Sequence, residues 1–196
     1  MEIDHLVISC GTLEAGADAV LLPWLTGGVH RDFGTHNRLL SLGPEAYLEL
    51  IAVNPDAPPL GRPRWFDLDR FTGPPRLTNW VLRVDDLAAI RARLGPDFGE
   101  IHDLARDTLR WRMAVPPRGI LPFDNCAPAL IQWLTPPPMP KLNDQGHRLA
   151  SLEVHHPEAG ELEALLGLRD PHVTFSPGEP RLTATLSDGD TVIPLP

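Results

Sequence analysis

Two polar side chains interrupt strand-like apolar runs near the start of the chain. His5 stands in "IDHLVISC" (3–10), and Glu49 stands in "YLELIAV" (47–53). An imidazole exchanges protons near neutral pH and is also a common metal ligand. A carboxylate between two leucines is costly to bury unless a cation, a hydrogen-bond donor or a cavity receives it. Both residues are therefore either hydrogen-bonded core residues or parts of a functional cavity.

The elements that carry these two residues occur twice along the chain. Residues 1–54 and 76–138 each show a strand, a helix and three further strands. In the first module the expected strand 3–10 and helix 12–27 precede strands 29–37, 38–43 and 47–53. In the second, strand 77–84 and helix 85–95 precede strands 99–106, 109–115 and 128–134. Thr12 and Asp86 are the expected N-caps, and Pro23 is expected to bend the first helix or end it early.

The two modules superpose without a gap at their first strands. "HLVISCGTL" (5–13) aligns with "NWVLRVDDL" (79–87), and the last strands place Glu49 on Gln132. Repeated units of this size indicate copies of one unit packed together. A Pro-rich linker, residues 55–75, joins the two modules. Residues 142–196 form a shorter, strand-rich third module that either covers the sheet or extends it. We predict one α+β domain over residues 1–196, built from paired βαβββ modules with a third partial module.

Composition narrows the class of protein. The chain has 196 residues and a formal net charge of -9. This charge weighs against nucleic-acid binding and against binding to anionic membranes, since both require a basic surface. No apolar stretch approaches the roughly 18 residues of a membrane span. Two cysteines and no visible signal peptide indicate free thiols in a reducing compartment, so we expect a soluble cytoplasmic protein.

Several sequence motifs together resemble a known family. They are "DHLVI", "GGVHRDFGTHNRLLSLG", "AYLELIAV", "LRWRMA", "GILPFDNCAPALIQWLTPP" and "LASLEVHHPEAGELEALLGL". With a duplicated βαβββ unit, they resemble the glyoxalase-like domain family of mostly uncharacterised bacterial proteins. This family lies in the vicinal oxygen chelate superfamily, with glyoxalase I, extradiol dioxygenases and bleomycin-resistance proteins. The resemblance implies a cleft lined by the first and last strands of each module, where a divalent metal stabilises an enediolate or oxyanion.

The resemblance also implies a metal site and a catalytic residue. The matching strand positions are His5, Glu49, Asn79 and Gln132, and Glu49 would also carry a proton. Alternation along the strands puts His5 and Glu49 on faces that converge if both strands line one cleft. The implied ion is Mg²⁺, Mn²⁺, Ni²⁺ or Zn²⁺, and the two neutral amides suit Mg²⁺ or Mn²⁺ better than Zn²⁺. A cleft with a polar floor and no metal is an equal alternative.

Other residues are candidates for binding the substrate. His36 and Asn37 would contact it at the cleft edge, or else form a turn. Arg64 would belong to a lid over the cleft, or else to a strap between the modules. An inward Arg112 would bind a carboxylate or phosphate, whereas an outward one would be solvated. Trp133 would stack on a ligand, or else belong to the core.

These residues leave two functions open. The first is a metal-dependent lyase or isomerase acting on a small oxygen-rich substrate. The second is a metal-free protein that sequesters a small molecule, in the manner of bleomycin-resistance proteins. The expected partner is a small-molecule ligand, and the chain would be a monomer or a homodimer. No phosphate loop, dinucleotide fingerprint or nucleophile elbow is present.

Overall fold

The computed structural model of the protein describes residues 1–196 and confirms the predicted α+β fold class. The first module consists of β1 (Glu2–Ser9), α1 (Leu13–Ala19), β2 (Leu25–His30), β3 (Thr35–Ser41) and β4 (Tyr47–Val53). The second consists of β5 (Arg76–Arg83), α2 (Leu87–Leu94), β6 (Glu100–Arg106), β7 (Leu109–Val115) and β8 (Ala129–Trp133). The third consists of β9 (His147–His155), α3 (Ala159–Leu166), β10 (Val173–Ser176), β11 (Arg181–Asp188) and β12 (Thr191–Pro194).

The first two modules share one sheet. Its eight strands run in the order β2-β3-β4-β1-β5-β8-β7-β6. In each module the last strand lies parallel to the first, and the two first strands, β1 and β5, pair antiparallel at the centre. The two modules are thus related by an approximate two-fold arrangement. The outermost strands, β2 and β6, approach each other, so the sheet curls around its concave face.

The first helix is shorter than the sequence pattern predicts. Thr12 caps α1, with its hydroxyl accepting a hydrogen bond from the Ala15 amide at 3.2 Å, but the helix ends at Ala19. Pro23 lies beyond this end, in agreement with the prediction that it stops the helix early, and β2 begins at Leu25. Asp86 caps α2 in the same way through the Ala89 amide at 3.0 Å. Both expected caps therefore start the helices.

Both faces of the large sheet are buried. The convex face packs against the three helices and the third module through a cluster that includes Leu6, Leu50, Trp80, Leu152 and Leu182. The third module forms its own sheet in the order β10-β9-β11-β12, so it covers the large sheet and does not extend it. The concave face carries a second, smaller cluster with members from both modules and from the linker.

The Pro-rich linker crosses the concave face. Its 3-10 turn, Trp65–Arg70, contains two residues in the left-handed backbone region, Phe66 at φ 57° and Asp67 at φ 55°. Trp65 and Phe66 are each only 4% exposed and pack in the concave cluster. The linker therefore forms part of the wall of the cleft.

No helix of the protein is both long enough and apolar enough to span a membrane.

Candidate functional site

The imidazole of His5 lies at the floor of the concave cleft between two carboxylates. Its Nδ1 is 2.7 Å from Asp4 Oδ1, and its Nε2 is 3.6 Å from Glu49 Oε2. The ring also stacks on Tyr47, with centroids 4.4 Å apart. Asp4 is fully buried and accepts a second hydrogen bond from Trp133 Nε1 at 2.8 Å. His5 is therefore fixed in orientation, with its Nε2 side turned toward Glu49.

A break in strand register brings Asp4 and His5 together. The pairing of β1 with β5 shifts between Ile3 and His5, so Asp4 has no partner residue across the ladder. Such a bulge interrupts the alternation of side chains. Ile3 consequently packs in the convex cluster, whereas Val7 packs in the concave one. Simple alternation along β1 would put Ile3 on the face of His5 and Val7, but the bulge turns Ile3 to the opposite face.

Glu49 is held by a hydrogen bond that depends on two glycines. Asn37 Nδ2 donates to Glu49 Oε1 at 2.5 Å, and Asn37 Oδ1 accepts from the Gly28 amide at 2.7 Å. A Cβ atom on Gly27 would lie 2.1 Å from Asn37 Oδ1. β2 also shifts register against β3 across this Gly-Gly pair. The two glycines leave the space in which the Asn37 amide reaches the carboxylate.

His30 and Arg106 connect the two modules at the edge of the cleft. Arg106 Nη1 is 3.0 Å from His30 Nε2, and His30 Nδ1 is 3.1 Å from Thr35 Oγ1. Burial, together with the positive charge of Arg106, lowers the pKa of His30 to about 3. His30 is therefore neutral at physiological pH. Its Nε2 accepts from Arg106, which leaves Nδ1–H to donate to Thr35.

Apolar side chains, half of them aromatic, form the remaining wall. Trp65, Trp111 and Trp133 line the cavity with His5 and Glu49. The cavity volume is about 30 Å³, which is enough for about two water molecules. A larger ligand must therefore displace part of this wall.

Tyr47 adds a neutral donor to the cavity. Burial, and then the nearby carboxylates of Asp4 and Glu49, raise the pKa of Tyr47 well above its usual value. Its phenol consequently keeps its proton at physiological pH.

The structure brings only part of the predicted set into the cleft. His5, Asn37, Glu49 and Trp133 line the cavity. His36, on β3, lies in a groove beside α1. It therefore faces the side of the sheet opposite to the one that carries Glu49. Arg64 lies in the linker, where its guanidinium pairs with Asp69 and donates to the Gly34 carbonyl.

The structure places Arg112 and Gln132 on the convex side of the sheet. They pair with each other across β7 and β8, while their neighbours Trp111, Met113 and Ile131 line the cleft. Gln132 donates to the Asp85 carbonyl at 2.6 Å, beside the start of α2, and exposed Arg112 pairs with Asp103 at 2.7 Å. Neither side chain faces the cavity.

The donors present do not fit a metal site with three or four protein ligands. His5 has the required orientation, since a ligating histidine usually donates its other N–H to a carboxylate. Glu49 is close, but no third His, Cys, Asp or Glu joins the pair. Gln132 faces away, and Asn79 is fully buried without lining the cavity, its amide atoms without hydrogen-bond partners. Two donors fall short of the sets that hold Zn²⁺.

Four polar residues outside the predicted set belong to this site: Asp4, His30, Tyr47 and Arg106. Only Asp4 carried a local signal, because an aspartate directly before a strand histidine is able to bond to that histidine where a bulge breaks the alternation. Arg106 reaches the site only because the sheet curls, which no local pattern indicates.

A family model described as a glyoxalase-like domain matches residues 3–168. Among solved structures, a hypothetical protein from Staphylococcus aureus is similar, with a TM-score of 0.58 and 15% identity. That match covers 98% of this chain and 84% of the other. A point variant of Streptomyces coelicolor methylmalonyl-CoA epimerase, in complex with 2-nitronate-propionyl-CoA, matches with a TM-score of 0.45 and 15% identity. It covers 69% of this chain and 99% of its own. No curated protein sequence matches the chain significantly.

Proposed function

Because the chain belongs to the glyoxalase-like domain family, we propose that it is a lyase or isomerase that moves a proton on a small oxygen-rich substrate. The observation that carries this proposal is the Asp4–His5–Glu49 arrangement at the floor of the cleft. A base and an acid 3.6 Å apart are suited to adjacent atoms of a carbonyl compound.

In this mechanism Glu49 is the base. Its carboxylate removes a proton from the carbon next to a carbonyl group. His5 Nε2–H donates to the carbonyl oxygen, on which negative charge develops as the proton leaves. Because Nδ1–H donates to the buried Asp4 carboxylate, the Nε2–H donor of this step is the imidazolium form of His5, which that carboxylate stabilises and orients.

Asn37 and Tyr47 have supporting roles in the proposal. Asn37 holds one oxygen of Glu49 and so directs the other toward His5. Tyr47 stacks on the His5 ring and restricts its rotation. A fixed base and a fixed acid lower the entropic cost of reaching the transition state.

The test compares Glu49→Gln with the unchanged protein in a screen of α-oxoaldehyde conjugates and α-hydroxycarbonyl compounds. Loss of solvent deuterium incorporation into the substrate is expected in Glu49→Gln, since an amide cannot accept this proton. Arg169→Ala is the control, because Arg169 is exposed and distant in sequence from the site. Full exchange in Glu49→Gln would refute the assignment of the base.

Metal dependence is measured in the same experiment. We propose the metal-independent reaction, because the cleft supplies only two of the donors that a structural or catalytic zinc site requires. A panel of Mg²⁺, Mn²⁺, Ni²⁺, Zn²⁺ and EDTA should then change neither activity nor melting temperature. A site occupied at a hundred times the dissociation constant would add about 2.7 kcal/mol of stability. A stabilising ion that is lost in His5→Ala would overturn the metal-independent form.

The second candidate is a protein that sequesters a small molecule without turnover. Three tryptophans in the cleft wall favour it, because indole rings offer large flat surfaces for stacking. In that case Glu49→Gln would bind the ligand as tightly as the unchanged protein. Tryptophan fluorescence titrations of both proteins distinguish binding from catalysis.

A further inference from the structure

A second depression opens beside the catalytic cleft. Its volume is about 510 Å³, and three arginines line it: Arg31, Arg106 and Arg110. The depression lies where β2 and the residues after it face the turn between β6 and β7. The large sheet closes on itself at this point.

The three guanidinium groups have no carboxylate partner within 4.0 Å, whereas Arg64, Arg83 and Arg112 each have at least one. Arg110 donates to the carbonyls of Asp107 and Leu109, and Arg106 donates to His30. Neutral acceptors leave the positive charges uncompensated. Asp107 is the only carboxylate that lines the depression. A positive depression on a chain with a net charge of -9 is a local attractor for anions.

Arg106 belongs to both the depression and the cleft. It lines the cavity with His5 and Glu49, and it lines the depression with Arg31 and Arg110. Its side chain passes directly over Gly28, where an added Cβ would lie 2.7 Å from Arg106 Cδ. The glycine therefore allows one guanidinium to reach both spaces. One ligand could span them, with its two ends in different chemical surroundings.

We propose that the ligand of this protein is an organic anion whose carboxylate or phosphate is bound by Arg31, Arg106 and Arg110. Its uncharged, oxygen-rich end then reaches the cavity of His5 and Glu49. Guanidinium groups suit this role, since their planar donors match both carboxylate and phosphate oxygens. The identity of the reacting end rests on the proposed function, but the anion subsite does not.

The test uses small anions and requires no turnover. Protein labelled with ¹⁵N is titrated with inorganic phosphate and, separately, with acetate, at constant ionic strength maintained with sodium chloride. Saturable shifts of the arginine Nε–Hε signals are expected with at least one anion. Tighter binding of phosphate would indicate that the charged group of the ligand is a phosphate ester. Saturable binding of acetate alone would indicate that it is a carboxylate.

Three variants make the result specific. Arg31→Ala/Arg110→Ala should weaken binding about tenfold or more, since charge-assisted hydrogen bonds are lost. Arg169→Ala removes an exposed arginine elsewhere and should bind as the unchanged protein does. Glu49→Gln should also keep anion binding, so failure of the proposed reaction and failure of the subsite are separate results. Melting curves confirm that each variant is folded.

The absence of saturable shifts with either anion would overturn the subsite. Equal weakening in Arg169→Ala would also overturn it, because that result indicates nonspecific charge attraction.

Discussion

Removal of the hydrogen bond between Asn37 and Glu49 should directly lower the stability of the protein. Asn37 is 6% exposed and Glu49 is 4% exposed, so water does not readily replace the lost partner. Asn37→Ala removes the donor to Glu49 and also the acceptor of the Gly28 amide. A hydrogen bond to a charged group contributes about 1.5–3 kcal/mol and a neutral one about 1 kcal/mol. We therefore expect Asn37→Ala to lower the free energy of unfolding by about 3 kcal/mol.

Urea denaturation of four proteins isolates the charged part of this effect. They are the unchanged protein, Asn37→Ala, Glu49→Gln and the double variant. When Glu49→Gln is already present the remaining bond is neutral, so Asn37→Ala should cost about 1 kcal/mol less there. Asn54→Ala is the matched control, because the Asn54 side chain accepts only one hydrogen bond, an exposed one from the Asp56 amide.

A loss below about 1 kcal/mol in Asn37→Ala, together with no coupling to Glu49, would refute this reasoning. Glu49 would then be held by some other group or would be free to move. Nothing would then hold its second oxygen toward His5, and the proposal that Glu49 is the base would lose its structural support.

Three further predictions concern parts of the structure around the site. His30 has a pKa of about 3 when folded, and an unfolded histidine titrates near 6.5, so the folded state resists protonation as pH falls below 6.5. Between pH 6.5 and 5 the unchanged protein should lose about 1.6 kcal/mol more stability than His30→Gln, measured by urea denaturation. Gly119→Ala should destabilise by more than about 2 kcal/mol in the same assay, because Gly119 has a φ of 71° and an added Cβ would lie 1.8 Å from the Arg64 carbonyl oxygen. Gly61→Ala, with nothing within 4 Å of the added atom, is its control and should be nearly neutral. Cys10 and Cys126 are buried, and burial raises the pKa of the first to about 12 and of the second to about 11. A thiol reagent should therefore label both only as fast as the protein unfolds, and rapid labelling of the folded protein would contradict this burial.

The repeated helix caps and strand order could be predicted from the sequence, because local side-chain chemistry determines both. Thr12 and Asp86 begin the two helices through the same type of side-chain bond. Residue alternation was less informative on the large sheet, because both of its faces are buried. Arg112 and Gln132 share one face of β7 and β8, as alternation requires, but alternation cannot say which face is the cleft. That choice depends on the third module and the linker, which cover opposite faces.

The site itself was predictable only where a strand was regular. Glu49 lies on β4, which pairs with β3 without a register shift, and its position in the cleft agrees with simple alternation. Asp4 lies at a bulge, and bulges depend on the pairing between strands more than on the sequence of one strand. The position of Arg106 is still harder to predict from the local sequence. Its approach to His30 requires the curl of the whole sheet.

The two modules contribute unequally to the cleft. Module one supplies Asp4, His5 and Glu49, and therefore all the groups proposed to move protons. Module two supplies Trp133, which donates to Asp4, and Arg106, which donates to His30. At the position that matches His5 it carries Asn79, an amide without a hydrogen-bond partner. Since the second module orients the acid through Asp4 and provides two of the three arginines of the proposed anion subsite, neither module alone would form the site.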